Sequence, residues 1–261
     1  MGGFERRIVS GGLRALVSTD LERLGYLAAF LERTGGASGG PFASLNGSFG
    51  VGDDPEAVAV NRAKVADAFG VTAFPVPGFV HGTRLMPVGR GRMQDGYRGP
   101  PEAFALADGL HTRSTRIPVG AFSADCVIAV MAGPREGRIA LVHAGWRGLA
   151  SGVMQRAAAL FEERGEVRAA IGPAIGPCHY EVGEDVALAV AAGSGAGAVT
   201  ERRKGRTYLD LVGTVKAILR EEGIRRAWDT GTCTACERRR FFSYRRDGVT
   251  GRHMAIGMRL G

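Results

Sequence analysis

Lysine is nearly missing from this chain. Lys64, Lys204 and Lys216 are its only three, so the formal charge of +8 is carried by arginine. The arginines are scattered, apart from Arg202-Arg203-Lys204 and Arg238-Arg239-Arg240. Neither run interleaves with aromatics as a single-strand nucleic-acid groove does. The charge therefore points away from nucleic acid and toward small anionic partners such as phosphate or nucleotides. Cysteine is also scarce: four in 261 residues, at Cys126, Cys178, Cys233 and Cys236, do not make a disulfide framework. Their spacing favours reduced thiols in a cytoplasmic protein. No apolar run approaches the roughly 20 residues that span a bilayer, and Met1 to Arg7 lacks the apolar core of a signal peptide. No membrane partner and no internal repeat are expected. What is plentiful is apolar surface, 45% of residues, enough for the core of one large domain over 1–261.

Along the chain, residues 35–50 are rich in glycine and serine and read as a mobile surface loop. Asp54-Pro55 starts a helix, with Asp54 as its N-cap, Val58, Val65 and Phe69 on its apolar face and Gly70 at its end. Val71 to Val88 looks strand-rich, and Phe104 to Thr112 reads as a short strand or turn. Gly148 to Arg164 reads as one helix, with Val153, Ala157, Leu160 and Phe161 on one side. Val167 to Ile171 is a strand, Glu184 to Ala192 a helix, and Asp210 caps a further helix that Gly223 stops. Ile224 to Asp229 is a strand, and so is Arg252 to Leu260, where Met254, Ile256, Met258 and Leu260 alternate with other residues. Strands joined by turns, without regular β-α-β alternation, predict an α+β fold with mixed sheets.

The chemistry concentrates between Ser123 and Gly148. Two apolar runs flank a Gly133-Pro134 turn, Cys126 beginning the first and His143 ending the second. Folding the runs back on each other brings the thiol and the imidazole together, either as metal ligands or as a nucleophile and its base. His81, in Val80-His81-Gly82, is the candidate third member. Two histidines and a cysteine leave a fourth position open, the pattern of catalytic zinc, where bound water has its pKa lowered toward about 7. Gly145-Trp146-Arg147-Gly148 opens a helix whose N–H groups, with the Arg147 fork, favour an anion; the alternative for Arg147 is a surface ion pair. Cys233-Thr234-Ala235-Cys236 is a C-x-x-C without a second pair to complete a four-thiolate site or a thioredoxin-like context, and reads as structural. Cys178-His179 lies on an irregular loop between two Gly-Pro pairs. Adjacent side chains usually point apart, so both are expected to form pocket wall and not to share a metal.

Several strings in order resemble the YfiH-like, laccase-domain family, variously described as multicopper polyphenol oxidase, purine nucleoside phosphorylase and peptidoglycan editing factor. They include Pro41 through Asn46, Asn61-Arg62, Val80-His81-Gly82, Ala107-Asp108-Gly109 and Ala124-Asp125-Cys126. His143-Ala144-Gly145-Trp146-Arg147-Gly148 is the most specific of them. Ile171 through Val182 and Phe242 through Gly248 complete the set. The resemblance implies mixed sheets sandwiched between helices, related to the cysteine-hydrolase toxin fold, and a metal held by His81, Cys126 and His143. It implies zinc-dependent phosphorolysis of adenosine, inosine and guanosine, with adenosine deamination at the same site. Cys126, His143, His81 and Arg147 are then the catalytic set, and Asn46, Arg62, Asp125, His179 and Tyr180 the substrate-binding one; His179, Tyr180 and Asp125 compete as proton donor to the leaving base. A Cys126–His143 hydrolase or amidase in peptidoglycan-precursor editing is the first alternative. Copper-dependent polyphenol oxidation ranks below it, because five scattered histidines are few for a multicopper centre. Some positions depart from the family pattern: Phe79 stands where Gln is usual, Gly109 and His111 replace Ala and Val, His179 replaces a frequent Cys, and the loop after Cys233 is reworked. None removes a ligand. A monomer or weak homo-oligomer acting on small molecules is expected.

Overall fold

A computed structural model describes residues 3–99 and 106–261 of the chain; Phe104 and Ala105 of the expected Phe104–Thr112 segment lie outside these. The two apolar runs form an antiparallel hairpin, β7 (Val127–Gly133) with β8 (Arg138–Ala144), Val127 lying opposite Ala144 and Gly133 opposite Arg138. Successive side chains of a strand face opposite ways. Accordingly Val127, Ala129 and Met131 enter one core while Ile128, Val130 and Ala132 enter another. A strand covered on both faces reads as an unbroken apolar run, which is how β7 looks in the sequence.

The hairpin is the centre of a six-stranded sheet ordered β13 (Arg226–Asp229), β9 (Arg168–Ile171), β7, β8, β5 (Gly109–Thr112) and β4 (Leu85–Pro87). β13 runs parallel to β9 and β4 parallel to β5, and the remaining pairs are antiparallel. A five-stranded antiparallel sheet is ordered β1 (Phe4–Ile8), β2 (Arg14–Ser18), β3 (Tyr26–Leu31), β14 (His253–Arg259) and β6 (Pro118–Ser123). The two sheets share a core in which Phe30, Val119 and Ala255 meet Ile128, Val130 and Leu141. Helix α2 (Pro55–Ala68) covers the outer face of the five-stranded sheet with Val65 and Ala66. Met154 of α4 (Val153–Ala158), Val190 of α5 (Glu184–Ser194) and Ile218 of α6 (Leu211–Glu221) cover the other outer face. A small sheet of β10 (Glu181–Val182), β12 (Arg206–Leu209) and β11 (Thr200–Arg203) stands beside them. α1 (Thr19–Glu22), α3 (Trp146–Ala150) and α7 (Tyr244–Asp247) are helices of four or five residues. This is the expected α+β arrangement of mixed sheets between helices. Among the described residues no helix is long and apolar enough to cross a membrane.

The Asp54 cap and the Gly223 stop are where the sequence puts them: Asp54 accepts from the Glu56 N–H at 3.0 Å, and Gly223 has φ 83°. Three segments differ from expectation. Val71 to Val88 holds only β4, because Pro75 and Pro77 remove ladder donors. Gly148 to Arg164 is not one helix: Gly152, at φ 85°, breaks it into α3 and α4. Residues 35–50 are not a mobile surface loop, since Leu45 and Asn46 are fully buried and Asn61 of α2 holds the backbone at Ala37, Ser44 and Asn46. The final strand is as expected: β14 lies between two strands, and the alternation sends Met254 and Ile256 into one core and Ala255 into the other.

Candidate metal centre and active site

Cys126 is the residue before β7, and His143, opposite Ile128, is the next-to-last residue of β8. His81 reaches them from a bend after the irregular segment. One donor atom from each of the three lies within 4.8 Å of the others. Cys126 Sγ is 3.9 Å from His81 Nε2, and the two imidazole rings meet edge to face with centroids 5.0 Å apart. His143 is buried, Cys126 half-buried and His81 exposed. The set is closed toward the core and open on one side, as a catalytic metal site must be. The backbone is strained at one of these residues and beside another, for His81 has φ 58° and Asp125, next to Cys126, has φ 102°. Non-glycine residues in this region cost on the order of 1–3 kcal/mol and cluster at functional sites.

Asp108, absent from the expected site, organises it. This fully buried carboxylate accepts from His143 Nδ1 at 3.1 Å and from the His81 and Gly82 N–H groups at 2.9 and 2.7 Å. Burial opposes its charge, but these bonds outweigh burial and hold Asp108 below the usual carboxylate range. With Nδ1 committed to Asp108, His143 has Nε2 left for a metal or a reactant. Burial likewise opposes ionisation of Cys126, yet attraction to His143 and hydrogen bonds from His143 and His81 bring the thiol down to about 6. His143 is pushed up to about 9, against burial, by Cys126 and Asp108. A thiolate, the form that ligates metals, is thus stabilised before any ion arrives. A Cβ on Gly145 would stand 2.9 Å from both Cys126 Sγ and His81 Cδ2, so only glycine leaves the donors their room. By donor type, spacing and orientation, the three residues fit zinc.

The open side faces a cavity of about 710 Å³. Phe49, Phe79, Phe122, Trp146, Tyr180 and Tyr244 supply aromatic wall, and Arg62, Arg147, Arg245 and Arg252 supply cations. Among the described residues Asp125 is its only lining carboxylate, and both oxygens are engaged, by Thr234 Oγ1 at 2.6 Å and the Arg245 N–H at 2.7 Å. Arg147 stacks on Trp146, 4.3 Å from the ring centre, and forms no ion pair among the described residues. The helix beside it, α3, has only five residues, so the positive feature at this wall is the guanidinium and not a helix dipole. Tyr180 lines the cavity under the Arg245 guanidinium, and burial with the nearby Cys126 charge pushes its phenol up to about 12.

The other expected substrate contacts are placed differently. Asn46 does not line the cavity; it is fully buried and its Oδ1 accepts the Arg252 N–H at 2.8 Å, fixing a cavity arginine through the backbone. Arg62 lines the cavity under Phe49 but donates to the carbonyls of Gly47, Gly96 and Tyr97. His179 lies outside the cavity altogether. Its Nδ1 sits 3.3, 3.5 and 3.9 Å from the sulfurs of Cys178, Cys236 and Cys233. The expectation that Cys178 and His179 diverge fails because a tight turn, with the His179 and Tyr180 N–H groups both on the Gly176 carbonyl, swings them the same way. Arg252, Arg245 and Tyr244 also line the cavity and were not among the expected site residues, although a cluster of arginine and tyrosine after two phenylalanines was the available signal.

An open His-Cys-His donor set beside an aromatic, arginine-rich cavity, on two mixed sheets between helices, defines a metal-binding α+β protein. The chain belongs to the YfiH-like laccase-domain family, described as multi-copper polyphenol oxidoreductase laccase, whose sequence profile matches residues 27–259. It is similar to a purine nucleoside phosphorylase of Deinococcus radiodurans, 37% identical over 235 residues that cover 87% of each chain. The purine nucleoside phosphorylase YlmD of Geobacillus stearothermophilus is 34% identical over 252 residues, 90% of this chain and 91% of that one. The crystal structure of YlmD from the same organism superposes with a TM-score of 0.82 at 32% identity, covering 91% of this chain and 93% of that one. That of a YfiH protein from Bacillus licheniformis gives 0.87 at 28% identity, covering 98% and 99%.

Proposed function

We propose that this chain is a zinc-dependent purine nucleoside phosphorylase acting on adenosine, inosine and guanosine, with adenosine deamination at the same site. The observation that carries the reading is the open face of His81, Cys126 and His143 toward a cavity whose walls are aromatic and whose charged groups are chiefly arginines. Held by those three residues, zinc supplies a Lewis acid at its open position. Aromatic side chains stack on a purine, and Arg147, without an ion pair among the described residues, binds phosphate and holds it for attack on the ribose anomeric carbon. Tyr180, its phenol protonated at neutral pH, is the group with a proton to give the leaving base, for Asp125 is engaged and His179 lies elsewhere. His81→Ala is expected to lower zinc content and phosphate-dependent release of adenine or hypoxanthine together. Full activity at normal zinc occupancy would overturn the three-residue site.

One observation favours a second reading. Cys126 as thiolate, His143 as its charged partner and Asp108 orienting the imidazole also form the arrangement of a cysteine nucleophile. A hydrolase or amidase acting on a muropeptide precursor would use it. Activity untouched by chelation but abolished by thiol alkylation selects this reading over zinc. Polyphenol oxidation by several coppers is weaker, because the three remaining histidines do not extend the site: His111 pairs with Arg138, His253 packs on Phe241, and His179 sits among the other cysteines.

A further inference from the structure

We propose that Cys178, His179, Cys233 and Cys236 form a second, closed metal site that takes one zinc ion in tetrahedral Cys₃His coordination. The four donor atoms all lie within 4.8 Å of one another. Zinc bonds of about 2.3 Å to sulfur and 2.0–2.1 Å to nitrogen give a tetrahedron with edges of about 3.8 Å between sulfurs and about 3.6 Å from sulfur to nitrogen. The Cys178–Cys236 sulfurs are 3.6 Å apart, and the His179 Nδ1 to sulfur distances are 3.3, 3.5 and 3.9 Å. The sulfurs are therefore at coordination spacing and not at the roughly 2.05 Å of a disulfide, and all four cysteines are free. The Gly176 N–H donates to Cys233 Sγ at 3.2 Å, the kind of hydrogen bond that supports a metal-bound thiolate. A Cβ on Gly176 would come within 3.3 Å of Cys178 Sγ and the Cys233 Cβ, so glycine also keeps this space clear.

The topology explains how residues 55 apart in sequence meet. β9 and β13 are parallel neighbours, so the loops leaving their C-terminal ends emerge side by side, and a bridge from Ala174 to Cys233 pins them together. The C-x-x-C thus finds its missing partners in the Gly-Pro loop. With four protein donors no position is left open, so the ion's part is structural. It staples the loop that carries Tyr180 into the cavity to the loop whose Thr234 holds Asp125 beside Cys126. The second site does not depend on which chemistry the first performs.

The test counts ions. Protein purified with reductant is dialysed against zinc, stripped of weakly held ion, and assayed for zinc per chain. Two equivalents are expected in the wild type, one in His81→Ala and one in Cys236→Ser. His81→Ala is the control that remains informative if Cys236→Ser fails to fold: loaded with Co²⁺, its single ion should show the intense sulfur-to-metal absorption of three thiolates. A wild type that holds one equivalent, lost in His81→Ala, overturns the proposal. So does a Cys178–Cys236 disulfide that, once reduced, yields a protein with no second equivalent.

Discussion

Asp108 and His143 are joined by a hydrogen bond of 3.1 Å between a buried carboxylate oxygen and Nδ1, and that same oxygen accepts the backbone N–H of His81 at 2.9 Å. One side chain from the start of the β5 region therefore sets the tautomer of one candidate ligand and the bend that carries another. Asp108→Asn keeps the size but brings an NH₂ group against donors that need an acceptor. Loss of such an outer partner typically costs 10–100-fold in metal affinity, so a drop of about that size is expected. Competition with a chromophoric chelator measures it. Affinity equal to wild type would remove Asp108 from the site.

Gly145 gives a sharper probe, because its backbone tolerates any residue while its space does not. Its φ of −82° is ordinary, yet a Cβ there meets Cys126 and His81 at 2.9 Å. Overpacking costs roughly 1–3 kcal/mol, and the groups that must give way are the two donors. Gly145→Ala should weaken zinc binding by about 5- to 150-fold on that scale. The melting temperature of the zinc-free protein should move little. A large fall in that temperature with unchanged zinc affinity would locate the strain in the fold and not in the site.

Arg147 divides substrate from structure. It forms no ion pair among the described residues and stacks on Trp146 at the cavity, so its removal leaves no buried charge stranded. A hydrogen bond to a charged group is worth about 1.5–3 kcal/mol. Arg147→Ala should therefore raise the KM for phosphate by roughly 10- to 100-fold, while the KM for inosine changes far less. Initial rates at varied phosphate and fixed nucleoside decide it. Equal effects on both KM values would mean that Arg147 shapes the cavity as a whole.

The hairpin was legible because two apolar runs around Gly133-Pro134 leave few other ways to bury both, and the Cys126–His143 encounter follows from the pairing alone. Asp108 was not legible as a site residue. Its three donors come from His81, Gly82 and His143, at sequence distances that only the packed sheet closes. The second cysteine cluster was not legible either, for a related reason. Divergence of adjacent side chains holds for extended chain, whereas Cys178 and His179 sit in a turn, and the parallel pairing of β9 with β13 is a tertiary fact. The break at Gly152 was visible as a residue but not as a conformation. A glycine inside an apolar helical pattern is usually tolerated, and here packing selected φ 85°.

His253 makes a prediction about pH. It lies on β14 opposite Ser123, packs on Phe241 with ring centres 5.3 Å apart, and is 2% exposed. Burial foremost, then the cations of Arg252 and Arg33, lower its imidazole from 6.5 to about 3, and neither ring nitrogen has a hydrogen-bond partner among the described residues. Below 6.5 the unfolded chain takes up a proton at His253 that the folded chain refuses until about 3. The contribution to stability is therefore complete above 6.5 and drains as pH falls from 6.5 toward about 3. One such proton steepens the acid limb by at most about 1.4 kcal/mol per pH unit. His253→Leu removes the titration while keeping an apolar side chain on the strand. Its melting temperature at neutral pH should fall through lost packing against Phe241. The difference in melting temperature between pH 7 and pH 4 should be smaller than in the wild type. Parallel pH profiles for the two proteins would show that the folded state accepts the proton on His253 as readily as the unfolded chain does.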